Sequence, residues 1–389
     1  MKQICPPEKC TGCWACYNIC PKQCIQMKEG KLLHLYPTIN QEKCINCGLC
    51  QKVCPSNHPL PRKQPLHTYA AWAKDEQEYK TSTSGGTGAC LSRYIIQNNG
   101  IVYGCACLPN AEIKHIRVEN EKDLSLLKGS KYVQSSIDNS YLSVKKDLIN
   151  EKTVLFIGTP CQVAGLKSYL KKNYTNLYTI DIICHGVPSL QYLKQHLYKK
   201  TKTTQYDYVK FRENSGDYIL KVSSNGNILY YYNLWKSRYK DEYCNAFIDG
   251  YTFRDSCHSC PYAAPTRVSD ITIGDFWGFK DDINHPHPHG LSCILCNTEK
   301  GNYLIDKIKD TLYIYERELE EAVNGNSQLQ APVPQNFRIL LYTHLAGIFN
   351  LSTAYNICIF DHKHNLYKIR GLGFILRRID KLLNKIFCK

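Results

Sequence analysis

Cysteines in two copies of one spacing pattern are the residues of this chain with the clearest chemistry. The copies are CTGCWACYNICP and CINCGLCQKVCP, and both have the form C-x2-C-x2-C-x3-C-P. Three thiolates two residues apart bind one 4Fe–4S cubane, while the fourth cysteine of each copy binds the other cluster. Zinc sites are the alternative, which the doubled spacing disfavours. The predicted ligands are Cys10, Cys13, Cys16 and Cys54 for the first cluster, and Cys44, Cys47, Cys50 and Cys20 for the second.

The composition of the chain favours cysteines that bind metal over cysteines that form disulfides. The sequence has 389 residues and 22 cysteines, and its beginning, MKQICPPEKC, lacks the apolar run of a signal peptide. Secreted disulfide scaffolds are usually shorter than about 100 residues, and no run reaches the roughly 18 apolar residues of a membrane span. Apolar residues make up 43%, enough for a buried core. We therefore expect a cytoplasmic protein of two or three domains.

The segments after the cysteine-rich region predict an α/β sheet. The proline-rich stretch PSNHPLPRKQP cannot continue a helix or a central strand, so we place a semi-rigid linker and a domain boundary near residue 62. Further on, TVLFIG and LYTIDII are apolar runs that each lead into a helix-like segment, which predicts neighbouring parallel strands. Cys161 and Cys184 follow the carboxyl ends of these strands, where open α/β sheets bind ligands.

A second group of cysteines belongs to the same part of the chain. Cys257 and Cys260 are two residues apart, ahead of a predicted strand over 270–274 that ends at Asp275. With Cys161 and Cys184 they make four thiolates, the number that a cubane needs. Each of them alone is also explained as a small buried residue. The spacing alone therefore does not decide between a third cluster and four small buried residues.

Small residues precede a helix in TSTSGGTGACLSRYIIQNNG, which covers 81–100. Free N–H groups at such a helix start favour an anion such as a cofactor phosphate. An ordinary cap by Ser or Thr explains the same residues. The polar segment KGSKYVQSS follows at 128–136, and we expect Lys131 within it to be exposed.

Five segments in a fixed order carry a family resemblance: STSGG, KGSKYVQS, GTPCQVAGL, CHGVPS and CHSCPYAAPTRVSDITIGDFWG. Together they resemble the coenzyme F420 hydrogenase/dehydrogenase beta-subunit family, from about Tyr69 to about Lys307, preceded by a ferredoxin module. The resemblance implies FAD and a 4Fe–4S cluster in one domain. It makes Cys161, Cys184, Cys257 and Cys260 the ligands of that third cluster. The flavin contacts that it implies are Ser84, Gly85, Gly86, Thr87, Lys131, Tyr132 and Gln134.

The fold class that follows is α/β (α+β) and multidomain. We expect a bacterial two-cluster ferredoxin fold at 1–62, and then a flavin and iron–sulfur α/β domain whose two parts cover 66–146 and 147–315. A helical, basic extension would cover 316–389. Asp275 and Arg267 also match family positions, without an assigned role, and Asp275 is equally suited to cap the next loop.

This combination of cofactors predicts a function in electron transfer. Flavin exchanges hydride in a two-electron step, whereas iron–sulfur clusters carry one electron at a time. We expect an oxidoreductase, a reductase or dehydrogenase, that passes electrons from a ferredoxin or another redox protein through the clusters to FAD and on to an organic hydride acceptor. The reverse direction is equally consistent with the sequence. The alternatives are an electron-transfer subunit whose substrate binds on a partner subunit, and an accessory reductase of surface-polysaccharide assembly.

The remaining cysteines and histidines are expected to have plainer roles. Cys5 and Cys24 lie outside the cluster pattern and are interpreted as small buried residues. Cys105 and Cys107 are extra to the family pattern. Cys293 and Cys296 lie in a strand-like run, where residues three apart point to opposite faces, so a metal site there is disfavoured. HPHPHG, at 285–290, is expected to be a solvated loop.

The net charge of +15 and the basic C-terminus suggest partners. The charge is suited to docking an acidic ferredoxin or an acidic substrate such as a polyglutamylated deazaflavin, although a merely solvated surface explains it too. Nucleic acid is not expected, because no recognition motif accompanies the charge. In residues 366–389, apolar and basic residues alternate at helical spacing. Such a helix would lie in an anionic membrane interface, making the protein peripheral at the inner face, or it would dock on the protein itself or on a partner subunit.

Overall fold

In the computed structural model, which describes residues 3–213, 216–369 and 372–388, the N-terminal segment folds as a small ferredoxin-like module. Each cysteine triplet leads into a short helix, and an antiparallel two-stranded ribbon lies between the two helices in the chain. Trp14 and Gly48 occupy equivalent places in the two triplets, and both have left-handed backbones with φ of 65° and 72°. The elements are α1 (Ala15–Ile19), β1 (Ile25–Glu29), β2 (Leu35–Ile39) and α2 (Leu49–Lys52).

An α/β domain follows, and it confirms the predicted fold class. Its strands are β3 (His67–Ala73), β4 (Ile101–Leu108), β5 (Glu112–Val118), β6 (Val154–Gly158), β7 (Leu177–Ile182), β8 (Tyr208–Arg212), β9 (Tyr218–Ser224), β10 (Asn227–Asn233), β11 (Ile271–Asp275), β12 (Ser292–Cys296) and β13 (Leu312–Glu316). Its helices are α3 (Glu76–Thr81), α4 (Thr87–Gln97), α5 (Ser140–Ile149), α6 (Pro160–Leu170), α7 (Leu190–Thr201), α8 (Glu242–Ile248), α9 (Glu299–Asp306) and α10 (Leu319–Gly325).

Eight of these strands form one mixed sheet in the order β13-β3-β12-β11-β7-β6-β4-β5. The four neighbouring strands β11, β7, β6 and β4 are parallel, and antiparallel strands flank them on both sides. The predicted parallel pair is therefore confirmed as β6 and β7, with Gly158 opposite Asp181. Because the carboxyl ends of parallel strands meet at one edge, the loops after β6, β7 and β11 come together there.

A three-stranded antiparallel sheet, in the order β10-β9-β8, and a helical C-terminal region complete the chain. The helices of this region are α11 (Phe337–Leu345), α12 (Leu351–Cys358), α13 (Phe360–Lys363) and α14 (Leu372–Phe387). The helical C-terminal extension is thereby confirmed. Searching the described ranges finds no helix with both the length and the apolar character that crossing a bilayer demands.

The ferredoxin-like module shares an apolar core with the α/β domain. Ile4 and Val53 of the module belong to the same buried cluster as Val163 and Ala164 of α6. The segment predicted as a linker is also fixed in place, because the backbones of Lys63 and Arg267 exchange hydrogen bonds of 2.8 and 2.9 Å. The module and the sheet are therefore held together by packing and not only by the chain.

Candidate iron–sulfur and flavin sites

The four thiols predicted for the first cluster line one cavity of about 330 Å3. Each of these residues is only 8–9% exposed, so the site is buried. They are Cys10, Cys13, Cys16 and Cys54. Burial raises the pKa of Cys13 to about 12. Cys5 lines the same cavity, and its hydrogen bonds lower the pKa values of Cys10 and Cys54 to about 6.

The four thiols predicted for the second cluster line another cavity, of about 430 Å3. This site lies nearer the surface: Cys47 is exposed, and Cys20, Cys44 and Cys50 are half-buried. Cys24 also lines the cavity, and its Sγ lies 3.4 Å from the Sγ of Cys20. Cys5 and Cys24, interpreted from the sequence as small buried residues, thus each stand beside one predicted ligand set. The C-x2-C spacing could not show this proximity, because it depends on how the chain turns outside the spaced cysteines.

The third set of cysteines meets at the carboxyl edge of the parallel strands. Cys161 lies in the first turn of α6, which begins at Pro160. Cys184 follows β7, and Cys257 and Cys260 lie in and just after a short 3-10 helix. Burial and then the neighbouring thiols raise the pKa of Cys161 to about 12. The same causes raise the pKa of Cys184 well above its usual value.

The chemistry of the three donor sets suits cubanes better than single metal ions. Within residues 3–213, 216–369 and 372–388, no group of three or more His, Cys, Asp or Glu is arranged to hold one ion. The thiolates of a cubane bind four different iron atoms, so their sulfurs are spread around a larger core than the ligands of one ion. The first and second sets fit that requirement, because each lines one cavity without His or carboxylate. The third set consists of four thiols that interact with one another electrostatically.

The first and third sets are neighbours across the boundary between the module and the α/β domain. The Tyr141 hydroxyl donates to the carbonyl oxygens of Cys13 and Gln162, at 2.8 and 2.7 Å. Gly165 of α6 packs so closely that a Cβ there would lie 2.9 Å from the Cβ of Cys13. The thiols of Cys13 and Cys161 also interact electrostatically. Two of the three predicted cluster sites therefore lie side by side in the interior.

A buried hydrogen-bond network supports the turn that carries Cys161. Gln162 closes a capping box with Thr159 at the start of α6, and its side-chain amide donates to the hydroxyl of Ser135 at 3.0 Å. That hydroxyl lies 3.1 Å from Nδ1 of His115, whose Nε2 faces the Ile157 carbonyl at 2.9 Å. A neutral imidazole satisfies both contacts, and burial lowers the pKa of His115 to about 4.

The small-residue loop lies at the same sheet edge and contacts the 128–131 segment. The Ser130 amide donates to the Thr83 hydroxyl at 3.1 Å, and the Ser84 hydroxyl donates to the Leu291 carbonyl at 2.7 Å. Gly86 caps α4 with a φ of 84°. Within the described part of the chain, the fully buried hydroxyl of Thr87 has no hydrogen-bond partner. An orphaned hydroxyl beside the free N–H groups of α4 fits an anionic cofactor group.

Two residues that the resemblance implies as flavin contacts are in unexpected surroundings. Lys131 was expected to be exposed, but the structure shows it half-buried, and burial lowers its pKa. Its ammonium donates at 2.8 Å to the carbonyl oxygens of both Leu127 and Lys128. Tyr132 stacks between Tyr218 and Phe247, with ring centroids 5.2 and 5.1 Å away.

The side chain of Gln134 contacts the ferredoxin-like module and Arg254. Its amide nitrogen donates to the Thr11 carbonyl at 3.0 Å, and its amide oxygen accepts from Nε of Arg254 at 2.7 Å. Both ends of this amide are therefore used at the contact with the ferredoxin-like module. No hydrogen bond joins Gln134 to Ser84–Thr87 within the described ranges, and its predicted flavin contact stays a prediction.

The two family positions without an assigned role are both charged partners in the structure. Arg267 is 1% exposed and donates at 2.8 Å to the fully buried Asp181, so it stabilises the sheet edge from within. Asp275 pairs with Arg212, whose guanidinium lies 5.6 Å from the ring of the exposed Trp277. Asp275 is thus an ion-pair partner at the end of β11.

The other singled-out residues lie within the sheet or against it. Cys293 and Cys296 are fully buried in β12, as the strand pattern predicts. Cys105 and Cys107 are half-buried in β4. The histidine loop is mostly exposed, as expected, although His287 is half-buried and its ring lies 5.4 Å from the ring of Trp72.

Family models match both halves of this arrangement. Residues 9–58 match the 4Fe-4S dicluster domain, and residues 151–322 match the C terminus of the coenzyme F420 hydrogenase/dehydrogenase beta subunit. The chain is therefore an iron–sulfur protein with a two-cluster ferredoxin domain ahead of an α/β domain. Residues 151–322 are thus similar to the coenzyme F420 hydrogenase/dehydrogenase beta-subunit family, which confirms the resemblance read from the sequence. The segments around Ser84 and Lys131 lie outside both matched ranges.

Two individual proteins are similar to this chain at low sequence identity. The coenzyme F420-dependent sulfite reductase of Methanocaldococcus jannaschii is 23% identical over 348 residues, which cover 83% of this chain and 48% of that protein. The chain thus spans about half the length of this curated relative. A chain in the structure of the F420-reducing [NiFe] hydrogenase complex from Methanosarcina barkeri is 16% identical, with a TM-score of 0.45, and the match covers 79% of this chain and 92% of that one.

Proposed function

We propose that the chain is a flavin-dependent iron–sulfur oxidoreductase that carries single electrons through three 4Fe–4S clusters to FAD, which delivers hydride to an organic acceptor. The observation that supports this most directly is the contact between the first and third thiol sets. Tyr141 donates to carbonyls beside both sets, and Gly165 packs on Cys13. Electron transfer between clusters requires neighbouring cluster sites, and here the first site of the ferredoxin-like module lies directly against the α/β domain.

The burial of the three sets suggests the order of the relay. Cys47 of the second set is exposed, and the exposed Lys22 lines the same cavity, so an acidic ferredoxin-like donor would dock there. The buried first set would pass electrons inward to the third set. The carboxyl edge of the sheet would then bring the electrons to the flavin. The reverse direction uses the same path.

The proposed flavin site is the loop Ser84–Thr87 with the segment around Lys131. When bound, FAD would exchange two electrons as hydride with the acceptor and single electrons with iron. The N–H groups at the start of α4 and the unpartnered Thr87 hydroxyl would bind its anionic part. Lys131 would add a positive charge nearby. Gln134 is left out, because its amide is engaged at the module contact.

Anaerobic purification with iron, sulfide and flavin counted per chain tests this proposal. We expect about twelve irons, four for each cubane, and one flavin. Cys257→Ser should remove about four irons and leave the iron of the other two sites. A wild-type count near eight irons, or an unchanged count in Cys257→Ser, would contradict the third cluster.

The flavin site has its own test in a matched pair of variants. Thr87 and Thr252 both have buried hydroxyls without a partner in the described ranges. Thr87→Val should lower the flavin bound per chain, whereas Thr252→Val should not. Equal flavin contents in wild type and both variants would remove Thr87 from the proposed site.

A second candidate is an electron-transfer subunit with no substrate site of its own. It is favoured by the length of the sulfite reductase relative, about twice the matched segment, because a partner would then supply the missing part. The two candidates differ in the turnover of the isolated chain. Reduced F420 and sulfite, the compounds in that relative's name, are the first pair to assay. Flavin that is reduced chemically but reoxidised by no acceptor would favour the subunit.

The C-terminal helix α14 supports a peripheral membrane location. One side docks on the protein, where Asp380 pairs with Arg338 at 3.0 Å and Asn384 accepts from the Phe337 amide at 2.7 Å. A second side carries an exposed apolar stripe with helical spacing. The stripe is Ile375, Ile379, Leu382 and Ile386. Exposed basic residues, Arg378, Lys381 and Lys385, lie on one flank of the stripe, and Arg377 lies farther around the helix.

An apolar stripe flanked by basic side chains suits the interface of an anionic bilayer. Sedimentation with anionic vesicles should therefore pellet the full chain, and Leu382→Asp should reduce the pelleted fraction. Neutral vesicles should bind less than anionic ones, because the basic side chains contribute attraction. Equal pelleting of wild type and Leu382→Asp would exclude membrane binding through this helix. A partner subunit would then be the expected binding partner of the stripe.

A further inference from the structure

Arg254 is a buried cation without a carboxylate partner. Its side chain is 1% exposed, Nε donates to Gln134, and Nη2 donates to the Leu35 carbonyl at 2.5 Å. Nη1 is buried and unpartnered, and no ion pair to Arg254 is found among the described residues. The equally buried Arg267, by contrast, pairs with Asp181. Because an uncompensated charge is strongly disfavoured in the interior, a counter-charge is expected near the guanidinium.

Predicted cluster ligands of both domains lie within electrostatic range of this guanidinium. On the module side, a Cβ at Gly12 would lie 2.6 Å from Nη2 of Arg254, and the Cys10 thiol is under its electrostatic influence. On the α/β side, the same charge acts on Cys161 and Cys257. Arg254 therefore stands between the first and third thiol sets, with its charge directed at both.

We propose that Arg254 is the shared counter-charge of the first and third clusters. This rests on the three-cluster relay proposed above. Four thiolates give each cubane a net negative charge, and each one-electron reduction adds another. A fixed cation between the two sites stabilises the reduced form of both, so one residue raises both reduction potentials together. Guanidinium is always charged, which keeps this effect constant with pH.

The same side chain also fixes the geometry of the electron path. Through the Leu35 carbonyl it binds the ribbon of the ferredoxin-like module, and through Gln134 it reaches the Thr11 carbonyl next to the first site. Its backbone position, three residues before Cys257, ties it to the third site. Arg254 is therefore a positioning residue and not a ligand: it holds two cluster sites together while tuning both.

Redox titration of the full chain, reconstituted anaerobically and followed by EPR, tests the proposal. The cluster signals are first assigned with Cys47→Ser for the second site and Cys257→Ser for the third. Arg254→Gln should shift the midpoint potentials of the first and third clusters to more negative values and leave the second unchanged. Arg254→Lys, which keeps the charge, should restore most of the shift. Arg317→Gln removes an arginine that pairs with Glu321 and Asp282, and should shift none of the three.

Each result decides between a charge effect and a purely structural one. Unchanged midpoints in Arg254→Gln, or equal shifts of all three clusters, would overturn the proposal. If Arg254→Gln loses iron from the first and third sites while Arg254→Lys keeps it, the counter-charge is supported. If both variants lose the same iron, a structural role replaces it. A wild-type count below about twelve irons would overturn the relay itself, independently of these variants.

Discussion

The two predicted cluster sites of the ferredoxin-like module have the same cysteine spacing and opposite surroundings. In the first site every cysteine is 8–9% exposed, whereas the second site has an exposed Cys47 and three half-buried cysteines. The first site is covered by α6 and by the third thiol set, while the second lies near the surface. Spacing thus sets which thiols can share a cluster, and the tertiary surroundings set what that cluster would be used for.

The largest expected difference between the two sites is in stability. Cys16→Ser would remove a cluster from the shared core, so we expect the free energy of unfolding to fall by about 4 kcal/mol or more, in the range of lost metal sites. Cys47→Ser, at the surface, should cost no more than about 2 kcal/mol. Anaerobic denaturant unfolding of the two variants measures this. Equal losses would mean that the shared core does not depend on the first cluster.

Chelator access should separate the sites kinetically. With a strong iron chelator under anaerobic conditions, we expect about a third of the iron, four of roughly twelve atoms, to leave in a fast phase. The exposed Cys47 makes the second cluster the source of that phase. Cys47→Ser is the control, and it should lack the fast phase. A single phase for all the iron would contradict the difference in burial.

Acid should lower the stability of the fold through the buried His115, which lies in the network that supports the turn of Cys161. Its pKa is about 4 in the fold because burial disfavours the charged ring, compared with 6.5 in the unfolded chain. Between these pH values the unfolded state binds more protons than the folded state. The contribution of His115 to the free energy of unfolding is therefore fully present above pH 6.5, and about 3 kcal/mol of it is lost as the pH falls towards 4. His115→Gln should flatten this slope in denaturant unfolding at several pH values. A variant with the wild-type slope would show that other groups carry it.

The smallest expected effect concerns the hydroxyl between the first and third sites. Tyr141→Phe leaves the carbonyls of Cys13 and Gln162 without this donor, which should cost roughly 1–3 kcal/mol of stability. Tyr243→Phe, which removes a hydroxyl that donates to the Tyr132 carbonyl, is the matched control. Only Tyr141→Phe should also change the EPR signals of the first and third clusters. Identical spectra in both variants would separate Tyr141 from the cluster sites.

Much of this arrangement could be read from local sequence. The paired C-x2-C-x2-C-x3-C-P runs, the parallel strands β6 and β7, and the amphipathic α14 depend on spacing and periodicity, which local residues express. Arg254 was missed because its role arises where two domains meet, although a basic residue three positions before Cys257 was a visible signal. The contacts of Gln134 were also missed, because its partners Thr11 and Arg254 come from segments far apart in sequence. Lys131 was expected to be exposed, and its burial depends on the fold around the 128–131 segment.

The closed first site also sets an order of events during synthesis of the chain. Its thiols are only 8–9% exposed once α6 and Tyr141 pack onto the module, so we expect iron and sulfide to arrive while that face is still open. The module precedes α6 in the chain and therefore leaves the ribosome first. We therefore expect the maturation of a cubane at this site to be coupled to biogenesis, and an apoprotein that closes prematurely would have to reopen before it could be loaded.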